Sequence, residues 1–263
     1  MTADGNTLSV RVAIARRGSA ARPRDDFALD VAFEAPPGIT IIFGPSGSGK
    51  STLLAAIAGL IRPDAGRVAL GDDVWFDASK KIDRPIQQRG IAFVFQSLAL
   101  FPHMTAAANV AYGMPRALPR AERRTRALEL LERLKVSHLE GRKPPTFSGG
   151  EAQRVALARA FAMSPRIALL DEPFSALDRP LRQGLIADVR DLVDERKIVL
   201  LHVTHHRHEA RALGDRVVLL EAGQVAKCGS LDDALPAEHG MMVRDMSFDE
   251  TPIPRKDRAR WED

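Results

Sequence analysis

Short apolar runs recur along the chain at residues 8–14, 39–43, 91–95, 167–170, 198–203 and 216–221. Each has the length of a strand and falls far short of the roughly 20 apolar residues that a membrane-spanning helix needs. Helix-like segments lie between several of them, and that rhythm predicts a largely parallel sheet with helices on its faces. The run Ile167-Ala168-Leu169-Leu170 has no polar position. It reads as a strand covered on both sides.

The rhythm breaks between about residues 97 and 164. Within that stretch, residues 120–135 are rich in Arg, Glu and Leu, and Leu128, Leu131 and Leu134 fall on one helical stripe. With no strand-type run in it, the segment predicts a helical subdomain inserted into the α/β core. Gly223, after Glu221 and Ala222, predicts a tight turn between two late strands, with the ordered core ending near residue 230. The main domain is read as residues 1–240. Residues 241–263, with Pro252, Pro254 and many charges, are read as a tail.

Composition narrows the function classes. At 263 residues and 45% apolar composition, the chain can bury one sizeable core, and its length fits one or two domains. The single cysteine, Cys228, permits no internal disulfide and suits a reducing compartment. Residues 1–20 carry Arg11, Arg16 and Arg17 without a continuous apolar stretch, so no secretory signal is expected. The net charge of +4 comes from 38 basic and 34 acidic residues that are well mixed. Such mixing argues against a nucleic-acid footprint, which is a clustered basic patch.

Chemistry enters at Gly44-Pro45-Ser46-Gly47-Ser48-Gly49-Lys50-Ser51, followed by Thr52. The glycine spacing and the Lys-Ser pair fit a phosphate loop, placed after an apolar strand and before a helix. Glycines there let successive backbone N–H groups face phosphate oxygens at a helix N-terminus. Lys50 would reach the β- and γ-phosphates of ATP, and the Ser51 hydroxyl would coordinate Mg²⁺. The strand at 167–170 ends in Asp171 and Glu172. Beside a phosphate loop, Asp171 would hold Mg²⁺ and Glu172 would prepare the attacking water. Away from such a loop, an Asp-Glu pair after a strand is more often a surface turn.

The segment Phe147-Ser148-Gly149-Gly150-Glu151-Ala152-Gln153-Arg154 resembles the signature of ABC transporter ATPases. Gln96 resembles that family's Q-loop glutamine, Ser175-Ala176-Leu177-Asp178 its D-loop, and His205 its switch histidine. The resemblance covers roughly residues 28–230. It implies a phosphate-loop NTPase core with a mostly parallel sheet, an antiparallel β subdomain and the helical insertion. It further implies that Ser148, Gly149 and Gly150 cup the γ-phosphate held by an opposing copy, that Gln96 joins Ser51 and Asp171 at the metal, and that His205 steadies the catalytic assembly.

The same resemblance implies a homodimer that hydrolyses ATP with Mg²⁺ on the cytoplasmic face of the membrane. Its partners would be transmembrane permease subunits and, indirectly, a periplasmic solute-binding protein, with no nucleic acid. Residues 95–105 and Asn109 to Gly113 resemble the permease-contacting region of bacterial importers. Val74-Trp75-Phe76-Asp77 and Gly38-Ile39-Thr40 look most like molybdate importers, with sulfate, polyamine, iron and phosphate importers close behind.

Departures are also visible. Glu151 stands where glutamine is usual, and His206 where aspartate is frequent. Residues 16–24 offer no aromatic to stack on adenine, which leaves Phe27 as the candidate, against a plain core phenylalanine. The residues after 240 are too few for the extra C-terminal β-domain that many of these importers carry. His202, His206 and His208 crowd His205 and raise metal ligation as a rival reading. The rival function is a DNA-repair or chromosome-organising ATPase, which would need a long coiled coil that is absent.

Overall fold

The computed structural model describes residues 6–16, 27–174 and 177–235. Its strands are β1 (Leu8–Arg16), β2 (Phe27–Ala35), β3 (Gly38–Phe43), β4 (Ala65–Leu70), β5 (Asp73–Asp77), β6 (Ile82–Asp83), β7 (Ile91–Val94), β8 (Ile167–Asp171), β9 (Val199–Thr204), β10 (Arg216–Glu221) and β11 (Gln224–Ser230). The helices are α1 (Lys50–Ala58), α2 (Ala106–Tyr112), α3 (Arg120–Arg133), α4 (Gly149–Ala162), α5 (Arg179–Arg196), α6 (Arg207–Leu213) and α7 (Leu231–Ala234).

One sheet runs β6-β5-β4-β1-β2-β11-β10-β3-β9-β8-β7. From β10 to β7 every pair is parallel, whereas β2, β1, β4, β5 and β6 form an antiparallel wing. The wing holds strands that the apolar-run reading did not place one by one. In β2, buried Leu29, Val31, Phe33 and Ala35 alternate with exposed positions that include Asp30 and Glu34. This is the pattern of a strand with one wet face, and its apolar runs are no longer than three residues. The predicted turn at Gly223 joins β10 to β11, and Gly223 sits at φ 78°.

Period-two alternation divides the parallel strands between two cores. Ile41, Leu170 and Leu200 face one core with α4 and α5, while Ile42, Leu169 and Leu201 face the other with α1 and the antiparallel wing. Burying each such side chain is worth about 1.5–3 kcal/mol. Between β7 and β8, α2, α3 and α4 pack on one another. Leu131 and Leu134 are buried there, and Leu128 packs at the edge. The interruption in the strand rhythm is thus helical. Residues 236–263, which include the tail, lie outside the described residues.

Candidate functional site

Register brings the candidate residues to one sheet edge. Phe43 pairs with Thr204, and Asp171 with Val203, so the C-terminal ends of β3, β9 and β8 stand level. From these ends leave Gly44, His205 and Glu172. Val94 pairs with Leu170, which places Gln96, exposed just beyond β7, at the same edge. Such edges are where open α/β sheets receive ligands.

The loop after β3 depends on its glycines. Gly47 and Gly49 have φ of 80° and 101°, in the left-handed region where a side chain is disfavoured. A Cβ on Gly44 would lie 2.2 Å from the Leu220 carbonyl oxygen, and one on Gly49 would lie 2.9 Å from Phe27 Cζ. The loop closes on itself through Ser48 N–H donating to the Pro45 carbonyl at 3.2 Å. Pro45, Ser46 and Gly47 face solvent, while Ser48 is buried. No side chain caps the start of α1, so its first N–H groups remain for a ligand. Thr52, half-buried, follows Ser51 in that helix.

Lys50 is 6% exposed, and its Nζ donates to the Gly44 and Pro45 carbonyls at 2.9 and 2.8 Å. Burial pushes its pKa below the ordinary lysine value, with Glu172 and Asp171 pulling the other way. Ser51 Oγ donates to Asp171 Oδ1 at 3.0 Å, so the hydroxyl and carboxylate expected to share a cation already touch. Burial pushes the Asp171 carboxyl up, the Ser51 hydrogen bond opposes it, and the nearby Glu172 charge adds to the rise. A divalent cation would relieve both crowded carboxylates. A hydroxyl, a carboxylate and a lysine beside an N–H-lined loop therefore fit a magnesium nucleotide.

Glu172 departs from the strand sharply. Its φ is 46°, a left-handed conformation that costs a non-glycine residue about 1–3 kcal/mol and that concentrates at functional positions. Its N–H donates to the Val203 carbonyl at 3.1 Å. Its carboxylate Oε1 lies 3.0 Å from His205 Nδ1. The two adjacent acids thus serve separate partners.

Of the clustered histidines, His202 and His205 face different neighbours. His202 is 0% exposed and lies against Phe174 with ring centroids 5.1 Å apart. His205 faces Glu172, and the His206 ring sits 4.1 Å from the His205 ring.

The second cup lies at the start of α4. Ser148 accepts the Glu151 N–H at 3.3 Å, while Glu151 Oε2 accepts the Ser148 N–H at 2.7 Å, a reciprocal capping box. Glu151 also accepts a 2.8 Å hydrogen bond from His138 Nε2. These contacts hold its pKa near 2, the histidine contributing most. Glu151, the departure noted in the signature, thereby finds a local role as capping partner of Ser148 and acceptor for His138. A Cβ on Gly149 would meet nothing within 4 Å, whereas one on Gly150 would touch Leu177 Cδ2 at 2.9 Å.

Of the segment 175–178, Ser175 and Ala176 lie outside the described residues, Leu177 is buried, and Asp178 caps α5 by accepting the Leu181 N–H at 3.0 Å. Half-buried Phe27 has its ring edge against Gly49, a packing position beside the loop.

Pattern reading passed over buried Glu209 and Thr204 and half-buried Arg182, which meet behind His205. Their only sequence signal is a carboxylate four positions past the histidine. No described helix is long and apolar enough to cross a membrane.

Comparison with known proteins adds relatives to this geometry. Residues 29–175 match the family model described as "ABC transporter". The molybdenum import ATP-binding protein ModC of Albidiferax ferrireducens is 41% identical over 243 residues, covering 90% of this chain and 63% of that protein. The molybdate/tungstate import ATP-binding protein WtpC of Archaeoglobus fulgidus is 41% identical, covering 84% of this chain and 90% of its own length. The sulfate/thiosulfate import ATP-binding protein CysA of Mesorhizobium japonicum is 42% identical over 233 residues, or 86% of this chain and 66% of that protein. This chain therefore spans about three-fifths of the ModC relative's length. Among solved structures, the dimeric bacterial ABC transporter cassette MJ0796 superposes with a TM-score of 0.73 at 32% identity, covering 86% of this chain and 98% of that one. A second structure of the same cassette, titled as a post-hydrolysis state bound to ADP and Pi, superposes equally well.

Proposed function

Because the chain belongs to the ABC transporter family, we propose that it is the ATP-hydrolysing subunit of an importer, working as a homodimer on the cytoplasmic face of the membrane. The observation that carries this reading is the juxtaposition at one sheet edge of a Ser51–Asp171 pair and a Glu172–His205 pair, each at 3.0 Å, beside buried Lys50. The ATPase unit is taken as residues 1–240, with a helical insertion at about 97–164.

In this reading Gly44, Pro45, Ser46, Gly47, Ser48, Gly49, Lys50, Ser51 and Thr52 hold the triphosphate through backbone N–H groups, the lysine charge and hydroxyls. Ser51, Asp171 and Gln96 would hold a Mg²⁺ ion, whose charge would neutralise the β- and γ-phosphate oxygens. Lys50 gives up its two loop carbonyls to reach the phosphates. Glu172 orients water and takes its proton, and His205 fixes the Glu172 carboxylate. Ser148, Gly149 and Gly150 present a hydroxyl and helix N-terminal N–H groups to the nucleotide of the opposing copy. Catalysis here is positioning and electrostatics, the usual economy of phosphoryl transfer.

A groove lined by Met104 and Tyr112 of the importer-like segments, together with Ala108, Arg120 and Arg123, borders that region. Its exposed Tyr112 tilts against Phe101, and the Arg159 guanidinium lies 5.4 Å from the Phe101 ring centroid. The permease subunits would dock there, and a periplasmic binding protein would deliver the solute to them. The names of the relatives favour molybdate or a similar oxyanion as cargo.

Replacing Glu172 by Gln tests the chemistry. Steady-state hydrolysis of Mg-ATP should fall about 10²–10⁴-fold, the range of a lost general base, with ATP affinity retained. Hydrolysis within about twofold of the native rate would remove Glu172 from the role, since that difference is far below any general-base effect.

A further inference from the structure

Behind the switch histidine lies a carboxylate that none of the roles above uses. Glu209 sits in the first turn of α6 and is 2% exposed. Burying an ionised carboxylate is costly unless partners return the lost hydration. Its partners here come from two different elements.

Thr204 Oγ1, at the end of β9, donates to Glu209 Oε2 at 2.7 Å. Arg182 Nη1, in the first turns of α5, lies 3.3 Å from Glu209 Oε1, an ion pair without hydrogen-bond geometry. His202 Nε2 is 3.5 Å from Oε2. Burial pushes the Glu209 carboxyl up, but the His202 and Thr204 contacts outweigh it and keep the group below its ordinary value.

Two of these partners hold something else. The Thr204 hydroxyl also accepts the His206 N–H at 3.0 Å, so the backbone on both sides of His205 is pinned through one oxygen. Arg182 Nη2 donates to the Leu177 carbonyl at 2.7 Å. The Leu177 side chain, in turn, packs against Gly150, its Cδ2 2.9 Å from where a Cβ there would be. A continuous path therefore runs Glu172–His205–Thr204–Glu209–Arg182–Leu177–Gly150 inside one copy of the chain.

We infer that Glu209 is a positioning residue that fixes the switch histidine and ties it to the signature cup of the same chain, so that the two nucleotide sites of the proposed dimer feel one another through it. The inference rests on the dimer reading above. One end of the path serves the chain's own nucleotide and the other end serves the partner's. A rigid bracket between them makes productive alignment of Glu172 depend on how Gly149 and Gly150 are engaged. Spatial connection alone is not coupling, so the test must read coupling directly.

The experiment uses the full chain with Glu209→Gln, Glu209→Asp and Arg182→Met, and makes three measurements. These are kcat against ATP affinity, thermal melting, and amide hydrogen exchange in the nucleotide-free protein. Glu209→Gln should lower kcat about ten- to a hundredfold, the loss expected when a reacting group is slightly misplaced. ATP affinity should stay within about twofold, because no phosphate-binding group is touched. Exchange should quicken in both 204–206 and 177–182, Glu209→Asp should recover part of kcat, and the Glu209→Gln, Arg182→Met pair should be less than additive.

A kcat within about twofold of native, additive effects of the pair, or faster exchange confined to 207–213 would overturn the inference. A general loss of melting temperature that tracks kcat across all three variants would reduce Glu209 to a fold-holding charge. Should the native chain fail to hydrolyse Mg-ATP, the proposed function fails, and the exchange measurement alone then decides whether the bracket exists.

Discussion

The two glycine-bearing cups look alike in sequence and are built on opposite principles. In the loop at 44–51, glycine is required by the backbone, because Gly47 and Gly49 hold positive φ and a side chain on Gly44 would strike a carbonyl. In the signature, Gly149 is helical, and a methyl group there would meet open space. The first cup starts an uncapped helix, whereas the second is closed by its own Ser148–Glu151 capping box. One is shaped by the chain around it. The other is open at Gly149 but walled by Leu177 at Gly150, and the opening at Gly149 is what the proposed site completed by a second copy would need.

Alanine at matched positions separates the two principles most strongly. Gly49→Ala should destabilise the fold by about 1–3 kcal/mol, from the strained φ and the contacts with Leu29 and Phe27, as read by denaturant melts. Its ATP affinity should fall with it in equilibrium binding. Gly149→Ala should leave the fold as stable as native or up to about 1 kcal/mol more stable, since alanine outperforms glycine in a helix. ATP binding should be unchanged, yet hydrolysis should drop because the methyl group fills the bare cup. Equal behaviour of the two variants would dissolve the distinction.

A smaller effect sharpens the second cup alone. Glu151 is held near pKa 2, against 4.5 ordinarily, first by His138 and then by the Ser148 N–H and hydroxyl. A depressed carboxyl stabilises the fold above its unfolded value and loses that contribution as pH falls through the folded one. Stability should therefore decline between about pH 4.5 and pH 2 in the native chain, and Glu151→Gln should flatten that part of the curve. His138→Asn should move the Glu151 titration upward, as followed by carboxyl chemical shifts.

The parallel core and the two cups were legible because their signals are local. Buried strands such as β8 read as unbroken apolar runs, and the phosphate loop depends on residue types at fixed spacing. The predicted strand at residues 216–221 coincides with β10. Strand β2 was hidden because its exposed Asp30 and Glu34 interrupt every apolar stretch, and β4 and β5 because their apolar runs, Val68-Ala69-Leu70 and Val74-Trp75-Phe76, are bounded by polar or glycine positions. The turn of Glu172 into a left-handed conformation and the Glu209 bracket were not legible. Both arise from contacts between β8, β9, α5 and α6, which only the fold brings together.

If two copies close on nucleotide through these unlike cups, sedimentation of the Glu172→Gln chain with and without saturating Mg-ATP will show it. The mass should double with Mg-ATP and return to that of a single chain when nucleotide is removed. Nucleotide bound at full occupancy with the mass unchanged would contradict it.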